Sequence, residues 1–259
     1  MHMTNEIINL KNVCYIRKGK NILSNITWNV NRGENWVLLG LNGSGKTTIL
    51  NMINGYIFPS SGNVTVLGYE FGHSSIIELR KRIGWVSSAV SEFIPGADSP
   101  QHIILSGKYA SFGLWEEISD DDIKRADDIM EMLNIIHLSG SMYSTLSQGE
   151  KQKVLIGRAM MNQPDIIILD EAFNGLDIFA KKDIEYTISS LIDKNISFIL
   201  VTHNTDEILP VFNKVMLLKN GSVHSSGNIN DIIQQENLAD FYGKNVEIYN
   251  HNGRFYLLP

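Results

Sequence analysis

Cysteine is almost missing from this chain: Cys14 is the only one among 259 residues. A single thiol excludes an internal disulfide framework and points to a reducing, cytosolic compartment, with Cys14 read as a small buried apolar residue. A basic excess is missing too. The 22 Lys and Arg against 28 Asp and Glu leave a formal net charge of −6, which argues against non-specific nucleic-acid binding, because a surface that tracks phosphates needs surplus positive charge, and leaves room only for a local basic patch. No apolar run approaches the roughly 18 residues of a membrane-spanning helix. Residues 1–6, Met-His-Met-Thr-Asn-Glu, hold neither the basic nor the apolar region of a secretion signal. Any tie to a membrane is therefore expected to run through a partner, with the chain cytoplasmic and at most peripheral on the inner face. Long repeats and low-complexity tracts are also lacking. What is present is a chain 43% hydrophobic and 19% charged, able to bury a core, and of a length that suits one large domain or one domain with an inserted lobe.

The densest chemical signal is Gly40-Leu41-Asn42-Gly43-Ser44-Gly45-Lys46-Thr47-Thr48, which reads G-x-x-x-x-G-K-T. The apolar run Trp36 to Leu39 before it predicts a buried strand, and Ile49, Leu50, Met52 and Ile53 after it are spaced for one face of a helix. Strand, glycine loop and helix form the setting in which backbone N–H groups turn toward an anion and a helix N-terminus adds partial positive charge. Lys46 is placed to reach outer phosphates and the Thr47 hydroxyl to hold Mg2+. The plain alternative is a glycine-rich turn with a surface lysine.

Ahead of the loop, Ile7 to Leu10 and Ile26 to Val30 predict strands, and Arg32 to Asn35 a turn, so a small antiparallel sheet is expected beside the nucleotide site. Tyr15 reads either as an ordinary strand aromatic or as a stacking partner for a base. Beyond the loop, Pro59 to Gly62 predicts a turn, Asn63 to Leu67 a strand, Ile76 to Arg82 a short helix, and Ile83 to Val86 a strand. From Ser87 to Pro100 the composition is that of a loop, and residues 101–162 read mostly helical, giving an inserted helical lobe of about 88–162. Ser119 and Ser147 each open an S-x-x-acid capping box. After the first, Ile123, Ala126, Ile129, Met130 and Leu133 are expected on one face, and the run Asp120 to Asp122 reads as dipole-matched acid in a first turn. After the second, a helix is expected from about Gly149 to Met161. Ile166 to Leu169 is uninterrupted apolar sequence ending in Asp170-Glu171, as expected of a buried parallel strand with ligands at its carboxyl end. Residues 178–192 predict an amphipathic helix with Ile184, Ile188, Leu191 and Ile192 inward, and Ser197 to Val201 a further buried strand ending at Thr202-His203. Asn220-Gly221 and Asn252-Gly253 are type I′ hairpin signals, the second within a C-terminal β extension at 240–259.

Four elements stand in a fixed order: the loop at 40–48, Leu146-Ser147-Gln148-Gly149-Glu150, the strand ending Asp170-Glu171, and the strand ending at His203. Over roughly residues 5–230 this order and spacing resembles the nucleotide-binding domain of ABC ATPases. The resemblance implies an α/β P-loop fold of ABC type. It would have a mostly parallel core sheet, an N-terminal antiparallel β subdomain and an inserted helical subdomain, all within one ATP-binding domain spanning 1–259. It implies ATP and Mg2+ as cofactors and Mg-dependent hydrolysis to ADP and phosphate. Gly40, Asn42, Gly43, Ser44, Gly45, Lys46, Thr47 and Thr48 are then expected to cradle the phosphates, with Lys46 catalytic. Thr47 and Asp170 would hold the metal, Asp170 through water. Glu171 would polarise the attacking water, and His203 would contact the γ-phosphate and link it to Glu171. Ser147 and Gly149 would contact ATP held by a second copy, and Asp177, in Asn174-Gly175-Leu176-Asp177, would touch that copy. Tyr15 is carried as the adenine-stacking candidate.

Three departures from the family pattern stand out. Ser88 occupies the place of a glutamine that helps coordinate Mg2+ where membrane subunits dock, Ala172 replaces a proline after Asp-Glu, and Lys18 sits where the adenine-stacking aromatic is usual. Tyr15 is displaced from that place, so Arg17 or Lys18 could pack on the ring instead. Trp36, Trp85, Ser87-Ser88 and Leu-Ser-Gln-Gly-Glu together resemble a bacterial molybdenum-transport-like subgroup. The expected function is the ATP-hydrolysing subunit of a transporter, a homodimer on binding ATP, with integral-membrane permease subunits as partners. The alternative is a soluble ABC ATPase with a regulatory, ribosome- or nucleic-acid-associated role.

Overall fold

The computed structural model describes residues 5–72, 74–87, 90–91, 93–109, 117–192 and 196–258. In chain order the elements are β1 (Glu6–Arg17), β2 (Lys20–Asn31), β3 (Trp36–Gly40), α1 (Lys46–Ile53), β4 (Ser61–Val66), β5 (Tyr69–Glu70), α2 (Ile76–Lys81), β6 (Ile83–Ser87), α3 (Pro100–Ser106), α4 (Asp120–Met132), α5 (Gln148–Met160), β7 (Ile166–Asp170), α6 (Ile178–Ile192), β8 (Ser197–Thr202), β9 (Lys214–Lys219), β10 (Ser222–Asn228), α7 (Ile229–Ile232), α8 (Gln235–Tyr242), β11 (Glu247–His251) and β12 (Arg254–Leu258). They fall into two compact units, Met1–Leu79 with Ser197–Pro259, and Arg80–Ile196.

The first unit contains an antiparallel sheet in the order β2-β1-β4-β5. Along β2, Ile26, Trp28 and Val30 are buried while Thr27 and Asn29 are exposed, the two-residue period of a strand with one wet face. In the same unit β3 lies between β8 and β9, parallel to both, and β10 pairs antiparallel with β9. Every residue of β3 and of β8 is buried, which is why both read as unbroken apolar runs. Both predicted hairpins form. Asn220 and Gly221 have φ of 50° and 76°, and Asn252 and Gly253 have 51° and 76°, the positive pair a type I′ turn requires.

Within the second unit β6 and β7 pair in parallel, from Ile83 opposite Ile166 to Ser87 opposite Asp170. The Arg82 guanidinium fixes their start, with Nε 2.8 Å from Asp165 Oδ2. Helix α5 lies on β6 and on α3, α4 and α6. A Cβ at Gly84 would stand 2.8 Å from Ala159 Cβ, so only glycine lets β6 and α5 approach this closely. Arg125 donates from Nε to Met161 O at 2.7 Å and from Nη2 to Met160 O at 3.3 Å, covering orphan carbonyls at the negative end of α5.

Several expectations are corrected. Leu67 lies outside β4, in a turn at φ 51°. Val90 and Ser91 have helical backbone where a loop is expected. Ile123 is 39% exposed although Ala126, Ile129, Met130 and Leu133 are buried, because it shares its turn with the solvent-facing capping box. Cys14 is half-buried and accepts a hydrogen bond from Asn25 N–H at 3.2 Å, so it is not a fully enclosed apolar residue. Short strand β5 and helices α7 and α8 went unread in the sequence. For α8 a signal was available, since Gly243 ends it at φ 66°, a left-handed cap that glycine favours.

Candidate functional site

The loop after β3 is built by steric exclusion. A Cβ on Gly40 would lie 2.5 Å from Ser44 Oγ and 2.7 Å from Leu218 O. Gly45 has φ 107°, and its Cβ would lie 2.7 Å from Leu23 Cδ2. No other residue type lets the chain fold back over the strand end here and still enter α1. Gly43, at φ 79°, has nothing within 4 Å of its Cβ position, so the loop's crest is open. Asn42, Gly43 and Thr47 are exposed and Thr48 is intermediate. Lys46 is only 7% exposed. Its ammonium donates to Gly40 O at 2.6 Å and Leu41 O at 3.2 Å, which concentrates positive charge inside the loop. The Ser44 backbone is tied down, donating to Leu41 O at 3.1 Å and accepting from Gly221 N–H at 2.9 Å. Its hydroxyl, by contrast, is buried with no hydrogen-bond partner among the described residues. Such an orphan costs free energy until an acceptor or donor reaches it. A buried cation beside an orphan hydroxyl is a donor set that fits phosphate oxygens.

Strand register brings a second residue to the same end of this unit. Leu39 of β3 pairs with Thr202 of β8, so the loop and half-buried His203 leave adjacent parallel strands at their carboxyl ends, where open α/β sheets bind ligands. Tyr15, half-buried, lies opposite Leu23, the residue that meets Gly45. Lys18 and Gly19, at φ 50° and 74°, form the tip of the β1–β2 hairpin.

The second unit holds the other expected residues. Asp170 ends β7, and Glu171 follows with φ 53°. A left-handed glutamate is strained by about 1 kcal/mol or more. Asn174 stabilises the turn, donating from its amide to Glu171 Oε2 at 2.8 Å and from its backbone N–H to Glu171 O at 3.1 Å. Sequence reading missed Asn174 as the residue that holds Glu171, because only the left-handed turn brings them together. Asp177 caps α6, its Oδ1 accepting from Phe179 N–H at 2.8 Å and Ala180 N–H at 2.9 Å.

Ser147 caps α5 in a full capping box. Its hydroxyl accepts from Glu150 N–H at 3.3 Å and donates to Glu150 Oε2 at 2.8 Å, and the same carboxyl oxygen accepts from Ser147 N–H at 2.8 Å. The Ser147 hydroxyl, followed by its backbone N–H, holds the Glu150 carboxyl below the usual range. Gly149 packs tightly, for a Cβ there would lie 3.0 Å from Ala180 Cβ. Ser88 lies outside the described residues, though its neighbour Ser87 pairs with Asp170.

Comparison with known proteins places this geometry in context. The family model described as ABC transporter matches residues 23–174. The chain is 44% identical over 254 residues to the uncharacterized ABC transporter ATP-binding protein YlmA of Bacillus subtilis (strain 168), covering 97% of this chain and 96% of that protein. It superimposes on cbiO1 of Clostridium perfringens, described as part of the ABC transporter complex cbiONQ, with a TM-score of 0.78, 28% identity, and coverage of 92% of this chain and 94% of that one. It also matches the dimeric ATP-binding cassette MJ0796 in a post-hydrolysis state bound to ADP and Pi, with a TM-score of 0.72, 26% identity, and coverage of 86% and 98%. None of these three is named for molybdenum, so the molybdenum-transport-like subgroup gains no support from them.

Proposed function

The chain belongs to the ABC transporter family, and from that premise we propose that it is the ATP-hydrolysing subunit of a transporter, acting as a two-fold dimer with ATP held between two copies. The observation that carries this is the loop of the first unit, where a buried Lys46 ammonium and an orphan Ser44 hydroxyl converge beneath an open glycine crest. Lys46 and the loop N–H groups bind the phosphates and orient the γ-phosphoryl group. Thr47 and Asp170 would hold Mg2+, which would supply positive charge against the charge that develops on the phosphate oxygens. Glu171 orients the attacking water, and Asn174 keeps its carboxyl in place. His203 meets the γ-phosphate. Ser147 and Gly149, at the positive end of α5, meet the phosphate held by the partner copy. Tyr15 remains the candidate for adenine through its place opposite Leu23.

Among the described residues no helix is long and apolar enough to cross a membrane. In this reading, which rests on the family and not on that absence, coupling to transport runs through integral-membrane permease subunits, with this chain on the cytoplasmic face. Glu171→Gln tests the reading. It is expected to bind ATP, to lose turnover about 100-fold or more as an oriented base is removed, and to accumulate as an ATP-bound dimer in light scattering. Unchanged hydrolysis in that variant would remove Glu171 from its role, and an unchanged mass with ATP would remove the sandwich dimer.

A further inference from the structure

The structure assigns to Glu207, backed by the C-terminal hairpin, the role of positioning His203 for ATP hydrolysis. This rests on the role proposed above for His203. Three hydrogen bonds bracket that histidine. The Thr202 hydroxyl donates to Glu207 Oε2, the Asn204 side-chain amide donates to Glu207 Oε1 at 3.2 Å, and Asn204 N–H donates to the Thr202 hydroxyl at 3.0 Å. One carboxyl group thus holds the residues on both sides of His203. Thr202 is fully buried and Glu207 is 5% exposed. Burying a carboxyl group is costly unless hydrogen bonds replace its water, and an apolar side chain would fill the space without that penalty. What an apolar residue cannot supply is direction: two fixed acceptors that set the path of residues 203–206.

The hairpin closes this arrangement from another side. Strand β12 packs against the 3-10 turn Thr205–Glu207, and Phe255 is the one residue of β11 and β12 that is buried. Gly253, at φ 76°, brings the hairpin tip so near Pro210 that a Cβ would lie 3.3 Å from its ring. Tyr249 and Leu258 stay more than half exposed, so the hairpin forms no core of its own and its packed face is the one toward this turn. The hairpin lies outside the family match of 23–174.

Glu207→Gln keeps the shape but removes the charge and replaces one acceptor with an NH2, which either faces the Asn204 amide donor or forces the Thr202 hydroxyl to turn round and accept. In steady-state hydrolysis we expect kcat to fall about 10-fold, as for a small misplacement of a reacting group, with KM for ATP unchanged. In a His203→Ala background, followed by single-turnover hydrolysis of labelled ATP over hours, the same substitution should cost nothing further, since groups acting through one another do not add. Phe255→Ala, which leaves Glu207, Thr202 and Asn204 intact, should lower kcat in the same way and stands in if Glu207→Gln does not fold. Wild-type kcat in both variants, a change confined to KM, or a full further loss in the His203→Ala background overturns the inference. His203→Ala as active as the wild type removes instead the role of His203 on which it rests.

Discussion

Ser147 is asked to do two things: to cap α5 and to meet a phosphate on a second copy. The chain supplies its own control. Ser119 caps α4 with the same hydrogen bonds, accepting from Asp122 N–H at 3.3 Å while Ser119 N–H donates to Asp122 Oδ2 at 3.0 Å. Ser119→Ala and Ser147→Ala each delete one cap acceptor, a loss of about 1 kcal/mol. For a chain of this length that lowers Tm by about 2–4 °C. Both variants should therefore melt alike in a calorimeter. ATP hydrolysis should separate them. Ser119→Ala retains the wild-type rate at saturating ATP, while Ser147→Ala loses activity by about 100-fold or more, the scale of a donor lost from a charge-stabilising site, and forms less ATP-dependent dimer in the Glu171→Gln background. If the two variants lose activity equally, or neither loses any, Ser147 is a helix cap and nothing more.

Two further outcomes follow from the packing and the charges. Asp122 is held down to about 2, first by the Lys108 ammonium and then by Ser119. A carboxyl group whose folded pKa is depressed stabilises the fold above its unfolded value and loses that contribution as pH falls through the folded one. The Tm gap between wild type and Asp122→Asn should thus be constant above about pH 5 and close between about pH 5 and pH 1, and a gap undiminished at about pH 1 would contradict it. Gly62 has φ 87°, and a Cβ there would lie 2.4 Å from Asn12 O and 2.6 Å from Lys11 O. Gly62→Ala should lose about 2 kcal/mol or more in denaturant unfolding, and a loss near zero would show that β1 and β4 can separate without strain.

What sequence made legible were features with a local cause. Strands β3, β7 and β8 show as unbroken apolar runs because both faces are buried. Two hairpins show because Asn-Gly suits a pair of left-handed residues, and two helices show because serine and an acid three residues on form a box. Lys18 and Gly19 adopt nearly the same φ pair as Asn220 and Gly221, yet lysine has no intrinsic bias toward that region, so the β1–β2 turn is not legible in the sequence. The left-handed Glu171 was hidden for the same reason. Glu207 was illegible because its meaning lies in two partners that only the 3-10 turn returns to it. The residues of the candidate site were named from motif order. What orients them, Asn174 for Glu171 and the bracket around His203, arises from turns that no motif encodes.

The same distinction decides which substitutions can report on the phosphate contact. Gly149 looks like the natural probe, since a glycine in such a stretch suggests a backbone N–H close to an anion. Its missing side chain, however, is already explained by Ala180, 3.0 Å from where a Cβ would stand. Ala180 lies in the first turn of α6, the turn capped by Asp177. Enlarging Gly149 would therefore push on the helix start that carries Asp177 as well as on its own. Lost activity in Gly149→Ala could arise from either helix and would identify no contact. Ser147→Ala removes atoms instead of adding them and leaves the Gly149–Ala180 contact unstrained, and its effect on folding is matched by Ser119→Ala. An excess loss of activity over that control belongs to the serine itself.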